Sequence, residues 1–381
     1  MKTIYLDNAA TTQIDKRVVK EMEKFMIREF GNPSSLHEKG REARKAVEKA
    51  REIIANSINA LPEEIIFTSG GTESNVLAIK GVAEANPEKK HIIISKIEHD
   101  CIINCCNELE KQGYRITKID VDSEGFVNLD ELEKAISPDT LVVSIIHGNN
   151  EIGTIQDLEK IGKICKSKKV YFHTDACQSY MKTEIDVRKQ NLDLATLNAH
   201  KIHGPKGIGV LYIRKGVKIK AIQEGGGQER EIRGGTENVP GIVGMAKAVE
   251  IYDKEEIEKM KELRDKMIKE LERIPEIKLN GSREKRLYNN INVRFAGIEG
   301  ESILMMLDKE GICVSTGSAC SSKSLEPSHV LLALGLKPEE SHGSIRISLG
   351  RFNTEKEINK FLKVIPKIVK DLRKISPFWK E

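Results

Sequence analysis

Residues 65–95, IIFTSGGTESNVLAIKGVAEANPEKKHIIIS, decide the fold. Two continuous apolar runs, IIFT at 65–68 and HIIIS at 91–95, flank a glycine turn that opens a helix. Strands that read as unbroken apolar runs, without alternation, are buried on both faces of a mainly parallel sheet. The same texture returns at TLVVSII (140–146), VYFH (170–173), DLATL (193–197) and GVLYI (209–213), with helical segments separating most of them. Upstream, Ser35-Leu-His-Glu38 matches a capping box, and Ala43, Ala46, Val47, Ala50, Ile53 and Ile54 then mark one apolar helix face. The pattern predicts a doubly wound α/β domain.

After about residue 252 the texture changes. The charged helical stretch YDKEEIEKMKELRDKMIKELERI leads into short strands (NNINVRF, GICVS, SIRISL) and helices such as ESILMMLDKEG. Mixed strands and helices predict a smaller α+β domain. A chain of 381 residues is too long for one ordinary core, so two domains are expected. The boundaries are set at 13–252 for the large domain and at 1–12 with 253–381 for the small one. Apolar residues make up 39% and charged residues 31%, with a formal net charge of +4 and no basic cluster, so no dedicated nucleic-acid surface is signalled. The start, MKTIYLDNAATT, lacks a charged n-region and an apolar h-region, and no apolar run reaches the ~20 residues that span a bilayer. A cytoplasmic protein is the expectation. Seven cysteines without any CxxC argue against a disulfide framework and a structural zinc.

In open α/β sheets ligands bind just past the carboxyl ends of the strands. The segments found there are Ser69-Gly-Gly-Thr72, then Glu98-His99-Asp100, then His147-Gly-Asn149-Asn150, then Thr174-Asp175-Ala-Cys177-Gln178, then Asn198-Ala-His200-Lys201-Ile-His203. Each alone is weak, since a glycine turn after a strand is more often only a turn and a histidine there more often a hydrogen-bonded structural group. Five successive strand ends bearing polar groups would all converge on one crevice. Their contents suit pyridoxal phosphate, which needs an anion cradle, a lysine, an acid facing the pyridine nitrogen and a planar partner for its ring. Thr72 with its glycines, Lys201, Asp175 and His99 can supply those four. There is no GxxxxGK[ST], and the glycines at 225–227 and 234–235 do not form GxGxxG, so nucleotide motifs are missing. His200 and His203 are metal ligands by type, but they lie in a Gly/Pro-rich turn without a third ligand nearby.

Cys320 sits in Ser315-Thr-Gly-Ser-Ala-Cys-Ser-Ser-Lys-Ser-Leu-Glu-Pro327, a polar stretch of small residues that reads as an exposed loop. A thiol there has the access a nucleophile requires, and it reads equally as an unremarkable surface thiol. Cys177 is the rival nucleophile, disfavoured by its place at the end of a buried strand.

With these residues in place, the chain resembles the cysteine desulfurases of the NifS/IscS type, in the class V aminotransferase group. The motifs that carry the resemblance are YLDNAATT (5–12), FGNPSSLH (30–37), FTSGGTESN (67–75), HGNNEIGT (147–154), HTDACQS (173–179), NAHKIHGPKGIG (198–209), GGGQEREIRGGTEN (225–238), STGSACSSKSLEPSHVL (315–331) and IRISLGRFNT (345–354). The resemblance runs end to end. It implies the pyridoxal phosphate transferase fold of type I, with a seven-stranded-type sheet, and a homodimer with shared active sites. It also implies that Lys201 carries pyridoxal 5′-phosphate and moves protons, that His99 stacks on the ring, and that Asp175 pairs with the ring nitrogen. Gln178 and Asn150 would reach the ring oxygen. Gly71, Thr72, Asn198 and His200 would hold the phosphate, with Thr236 from the other subunit. Arg346, with Asn150 and Asn32 nearby, would bind the substrate, and Cys320 would take sulfur from L-cysteine as a persulfide. The product would be L-alanine, and the sulfur would pass to an iron–sulfur scaffold or another acceptor such as a tRNA-thiolating system. The long loop ending in LEPSHVL resembles the subgroup that serves general iron–sulfur and nitrogenase-type assembly. A selenocysteine lyase or a small-amino-acid aminotransferase on the same fold is the alternative, since neither strictly requires Cys320, and a non-catalytic scaffold is the remaining class. Two positions depart from the family pattern. Asn198 stands where Ser or Thr is usual, and Gly71 stands where Ala is usual, a change expected to be harmless.

Overall fold

The computed structural model describes residues 3–316 and 326–379. Thirteen strands fall into three sheets: β1 (Ile4–Tyr5), β2 (Ile65–Thr68), β3 (His91–Ser95), β4 (Arg115–Ile119), β5 (Thr140–Ser144), β6 (Tyr171–Asp175), β7 (Leu194–Asn198), β8 (Gly209–Ile213), β9 (Ile277–Leu279), β10 (Asn290–Phe295), β11 (Ile312–Cys313), β12 (Ser315–Thr316) and β13 (Ser344–Ser348). The central sheet has seven strands in the order β2-β8-β7-β6-β5-β3-β4. β8 runs antiparallel to both β2 and β7, and the remaining pairs are parallel. Every residue of β2, β3, β5, β7 and β8 is buried, which is why their sequences carry no polar alternation. β4, with the sequence RITKI, was not among the expected strands. It lies at one edge of the sheet with its first four residues exposed or half-exposed, so it needs no apolar run, whereas β2 at the other edge is buried throughout.

Helices cover both faces of this sheet. Lys16–Ile27, Glu38–Ser57 and Val239–Glu250 bury Val18, Val47, Ile54 and Ile242 in one apolar cluster with Ile65, Phe67 and Val143. On the opposite face Leu77, Ile79, Ile102 and Leu109 pack with Ile66, Ile92 and Ile94. The helix expected from Ser35 starts later. It runs from Glu38, and His37 is its N-cap, with Nδ1 accepting from the Gly40 N–H at 3.3 Å. The Ser35 N–H instead closes a turn onto the Asn32 carbonyl at 3.0 Å, which takes Ser35 out of capping position.

A second core gathers Ile4 and Leu6 with Met267, Leu271, Ile291, Val293, Ile345, Ile347, Phe361 and Ile365. It holds the antiparallel sheet β12-β13-β10-β9 and the helices Lys254–Leu271 and Glu355–Ile375. β1 pairs in parallel with β11, so the start of the chain is built into this C-terminal body. A small third cluster sets Val330, Leu331 and Leu334 against Ile97, Ile146 and Ile152 beside the ends of β3 and β5. Among the described residues no helix is long and apolar enough to cross a membrane.

Candidate active site

The carboxyl ends of the parallel strands open onto a cleft of about 270 Å³. The turn after β2 brings Gly71 and Thr72, and the segment after β3 brings His99. Asn150 follows β5, Asp175 ends β6 with Cys177 and Gln178 behind it, and β7 leads through Asn198 to His200 and Lys201. Two walls come from elsewhere: Ala9 and Ala10 from the segment after β1, and Arg346 from β13.

Lys201 Nζ donates to the Ala10 carbonyl at 2.6 Å and to the Ala9 carbonyl. Gln178 Nε2 also donates to the Ala9 carbonyl, at 2.7 Å, so the N-terminal segment is pinned over the lysine. Asp175 is buried, and both of its oxygens are held. Oδ1 accepts the Cys177 N–H at 2.8 Å, and Oδ2 accepts Asn75 Nδ2 at 2.6 Å. His99 caps the helix Asp100–Lys111, with Nδ1 accepting the Cys101 N–H at 3.2 Å and lying 3.1 Å from Cys101 Sγ. In the neutral ring that acceptor duty places the proton on Nε2. Asn75 Nδ2 also donates to Cys101 Sγ at 3.3 Å. A single amide therefore links the acid to the thiol beside the histidine.

Arg346 is buried, with Nη1 donating to the Asn150 carbonyl and Nη2 to Asp7 Oδ1, both at 3.0 Å. Its Nε has no hydrogen-bond partner among the described residues, which leaves a buried donor for a ligand carboxylate. Asn198 Oδ1 is likewise buried and unpartnered, and an amide there can turn to present Nδ2 to an anion. His200 is pushed down to about 4, by burial first and then by the Lys201 charge, and its Nδ1 lies 3.2 Å from Thr11 Oγ1. Burial and the neighbouring Asp175 raise the Cys177 thiol well above its ordinary value, so it stays protonated. The donors, the lysine, the fixed acid and the histidine on one cleft fit pyridoxal phosphate with a carboxylate-bearing substrate. Among the described residues no cluster of His, Cys, Asp and Glu could hold a metal ion.

Two expected residues lie outside this cleft. Asn32 is exposed, with Oδ1 accepting the Ser34 N–H at 2.9 Å, and Thr236 is exposed on the far loop. Cys320 lies outside the described residues. Asn75, Asp7, Cys101 and the Ala9 and Ala10 carbonyls were not singled out from sequence. Asn75 and Asp7 stand inside the quoted motifs FTSGGTESN and YLDNAATT, and that position was the available signal.

Beneath the site, Glu98 is fully buried and pushed up to about 8 by burial. Its Oε1 accepts Ser95 Oγ at 2.5 Å and the Ile146 N–H at 2.8 Å, while Oε2 has no partner. A carboxyl whose folded-state value lies above its unfolded value of about 4.3 stabilises the fold most at low pH. That contribution is lost as pH rises towards 8. Glu98→Gln mimics the protonated acid. The variant is expected to melt higher than the parent at pH 8, by an amount worth a few kcal/mol at most, and to converge on it below pH 5. Equal melting temperatures across that range in calorimetry would refute the assignment.

The class-V aminotransferase profile matches residues 4–361. A cysteine desulfurase IscS of Dictyoglomus turgidum is 54% identical over 100% of this chain and 98% of its own length. A solved NifS-like protein superposes with a TM-score of 0.92 at 42% identity, covering 97% of this chain and 100% of its own. SspA in complex with cysteine gives 0.84 at 39% identity, covering 92% and 100%. The chain belongs to the class-V aminotransferase family, in its IscS/NifS-like cysteine desulfurase branch.

Proposed function

We propose that this protein is a pyridoxal 5′-phosphate-dependent cysteine desulfurase that converts L-cysteine to L-alanine and takes the sulfur onto Cys320 as a persulfide. The observation that carries the reading is the convergence of Lys201, Asp175, His99 and Arg346 on one cleft. When bound, pyridoxal phosphate supplies the electron sink that lets bonds at Cα and Cβ of the substrate break. Lys201 would attach the cofactor, and its amine would move the proton at Cα. Asp175, fixed by Asn75 and the Cys177 N–H, holds a proton at the pyridine nitrogen. His99 would lie against the ring. Gln178 and Asn150 would serve the ring oxygen, while Gly71, Thr72, Asn198 and His200 would hold the phosphate. Arg346 offers its Nε to the substrate carboxylate, and Asp7 holds the guanidinium plane for it.

Cys320 then attacks the substrate sulfur as a thiolate. The Cβ–S bond breaks, an S–S bond forms, and the carbon fragment takes up a proton and leaves as alanine. The sum is L-cysteine plus thiol giving L-alanine plus persulfide. The acceptor of that sulfur is an iron–sulfur scaffold or a tRNA-thiolating protein in the cytoplasm, where the unpaired cysteines of this chain suit a reducing compartment.

The working form is a homodimer. Met26, Ile27, Phe30 and Leu36, close together in the chain, are exposed at 64%, 64%, 70% and 85%, and a partner subunit would cover them. Thr236, outside its own cleft, completes the phosphate cradle of the other subunit. Each subunit divides at 13–252 and at 1–12 with 253–381.

Intact-protein mass spectrometry after mixing with L-cysteine, with alanine assayed in the same tube, tests the reading. The parent gains sulfur and releases alanine, and Cys320→Ala does neither beyond trace levels. Cofactor bound without alanine or added sulfur in the parent would point to a transaminase or an inactive scaffold instead.

A further inference from the structure

We propose that Gly71 and Cys177 are a matched pair that seats the cofactor, with the Cys177 thiol filling the space a side chain at 71 would occupy. The inference rests on the cofactor reading above. A Cβ built on Gly71 would stand 2.5 Å from Cys177 Sγ and 3.6 Å from Asn198 Nδ2. The first distance is shorter than any real carbon–sulfur contact, so one of the two residues would have to move. Cys177 is held at its backbone, and its thiol turned aside would enter the cleft it lines. Its N–H is held by Asp175 Oδ1 at 2.8 Å, and its thiol also bonds to that acid. Pushing Cys177 therefore pushes the carboxylate that faces the pyridine nitrogen.

The two departures from the family pattern thus meet at one point. Gly71 stands for Ala, Asn198 stands for Ser or Thr, and the space a Cβ at 71 would take lies between Cys177 Sγ and Asn198 Nδ2. Glycine at 71 is required by the sulfur behind it, and the expectation of a harmless exchange gains a physical reason. The thiol serves as a neutral, polarisable wall, because burial and Asp175 keep it protonated. Cys177 is on this account a positioning residue that acts through Asp175, and the rival-nucleophile role is not its own.

Four proteins test the pairing: the parent, Gly71→Ala, Cys177→Ala and the double variant. Each is stripped of cofactor and titrated with pyridoxal phosphate, following the absorbance of the bound chromophore. Gly71→Ala is expected to raise Kd about tenfold and to move the absorbance maximum, because Asp175 is displaced. Cys177→Ala alone costs less than about threefold. The double variant returns to within about threefold of the parent and regains its absorbance maximum, a non-additive outcome. Parent-like binding by Gly71→Ala, or a double variant as weak as the two singles combined, would overturn the pairing. A parent that binds no pyridoxal phosphate would overturn the cofactor reading instead. The pairing is then read from the melting temperatures of the four cofactor-free proteins, where Gly71→Ala melts lower and the second substitution restores it.

Discussion

Lys201→Ala is expected to lower alanine production at least a thousandfold while pyridoxal phosphate still enters the cleft. General acid–base groups contribute roughly 10²–10⁴ in rate, and this lysine is both the attachment point and the proton carrier. Borohydride reduction followed by intact-mass measurement separates the two duties. The parent retains the cofactor covalently after reduction, and the variant retains none although its absorbance shows the ligand bound. The same change removes the hydrogen bonds from Nζ to the Ala9 and Ala10 carbonyls, each worth about 1 kcal/mol. The cofactor-free variant should therefore melt slightly lower. Covalent retention at the parent's level in Lys201→Ala would reassign the attachment site.

Arg346→Ala carries the second large effect. A guanidinium N–H that meets a carboxylate gains about 1.5–3 kcal/mol per charged hydrogen bond. Its loss should raise KM for L-cysteine about a hundredfold or more. The wild-type side chain also satisfies Asp7 and the Asn150 carbonyl, so truncation leaves a carboxylate facing the incoming substrate carboxylate. Asp7→Asn in the Arg346→Ala background removes that repulsion and should recover part of the loss. Arg346→Lys should recover little, since an ammonium cannot serve Asn150, Asp7 and the substrate in one plane. Steady-state kinetics decide the matter, and an unchanged KM in Arg346→Ala would place the carboxylate elsewhere.

The parts of the fold that were legible in sequence share one physical cause. β2, β3, β5, β7 and β8 are buried on both faces, so their apolar runs announce them. β4 escaped because its side chains are largely exposed and need no apolar run. Strand-end reasoning located Gly71, Thr72, His99, Asn150, Asp175, Gln178, Asn198, His200 and Lys201 around one cleft, because sheet topology alone sets which loops meet. The family resemblance added Arg346, which reaches the cleft from β13 in another sheet. Asp7 on Arg346 and Asn75 on Asp175 were missed, since nothing local in the chain signals contacts made across such separations. Asn32 and Thr236 were named through the resemblance, and neither lines the cleft of the described residues.

The pairing of β1 with β11 ties the first strand of the chain to one near its end. A ribosome delivers Ile4 and Tyr5 about 300 residues before Ile312 and Cys313, so over all that synthesis β1 has no neighbour. Ala9 and Ala10 are held by Gln178 and Lys201 from the large sheet and need no late partner, whereas Arg346 lies on β13, which pairs with β10 and β12. A chain truncated before β13 would thus hold the seven-stranded sheet and its lysine without a carboxylate clamp. The crevice is made before the group that fastens a substrate in it.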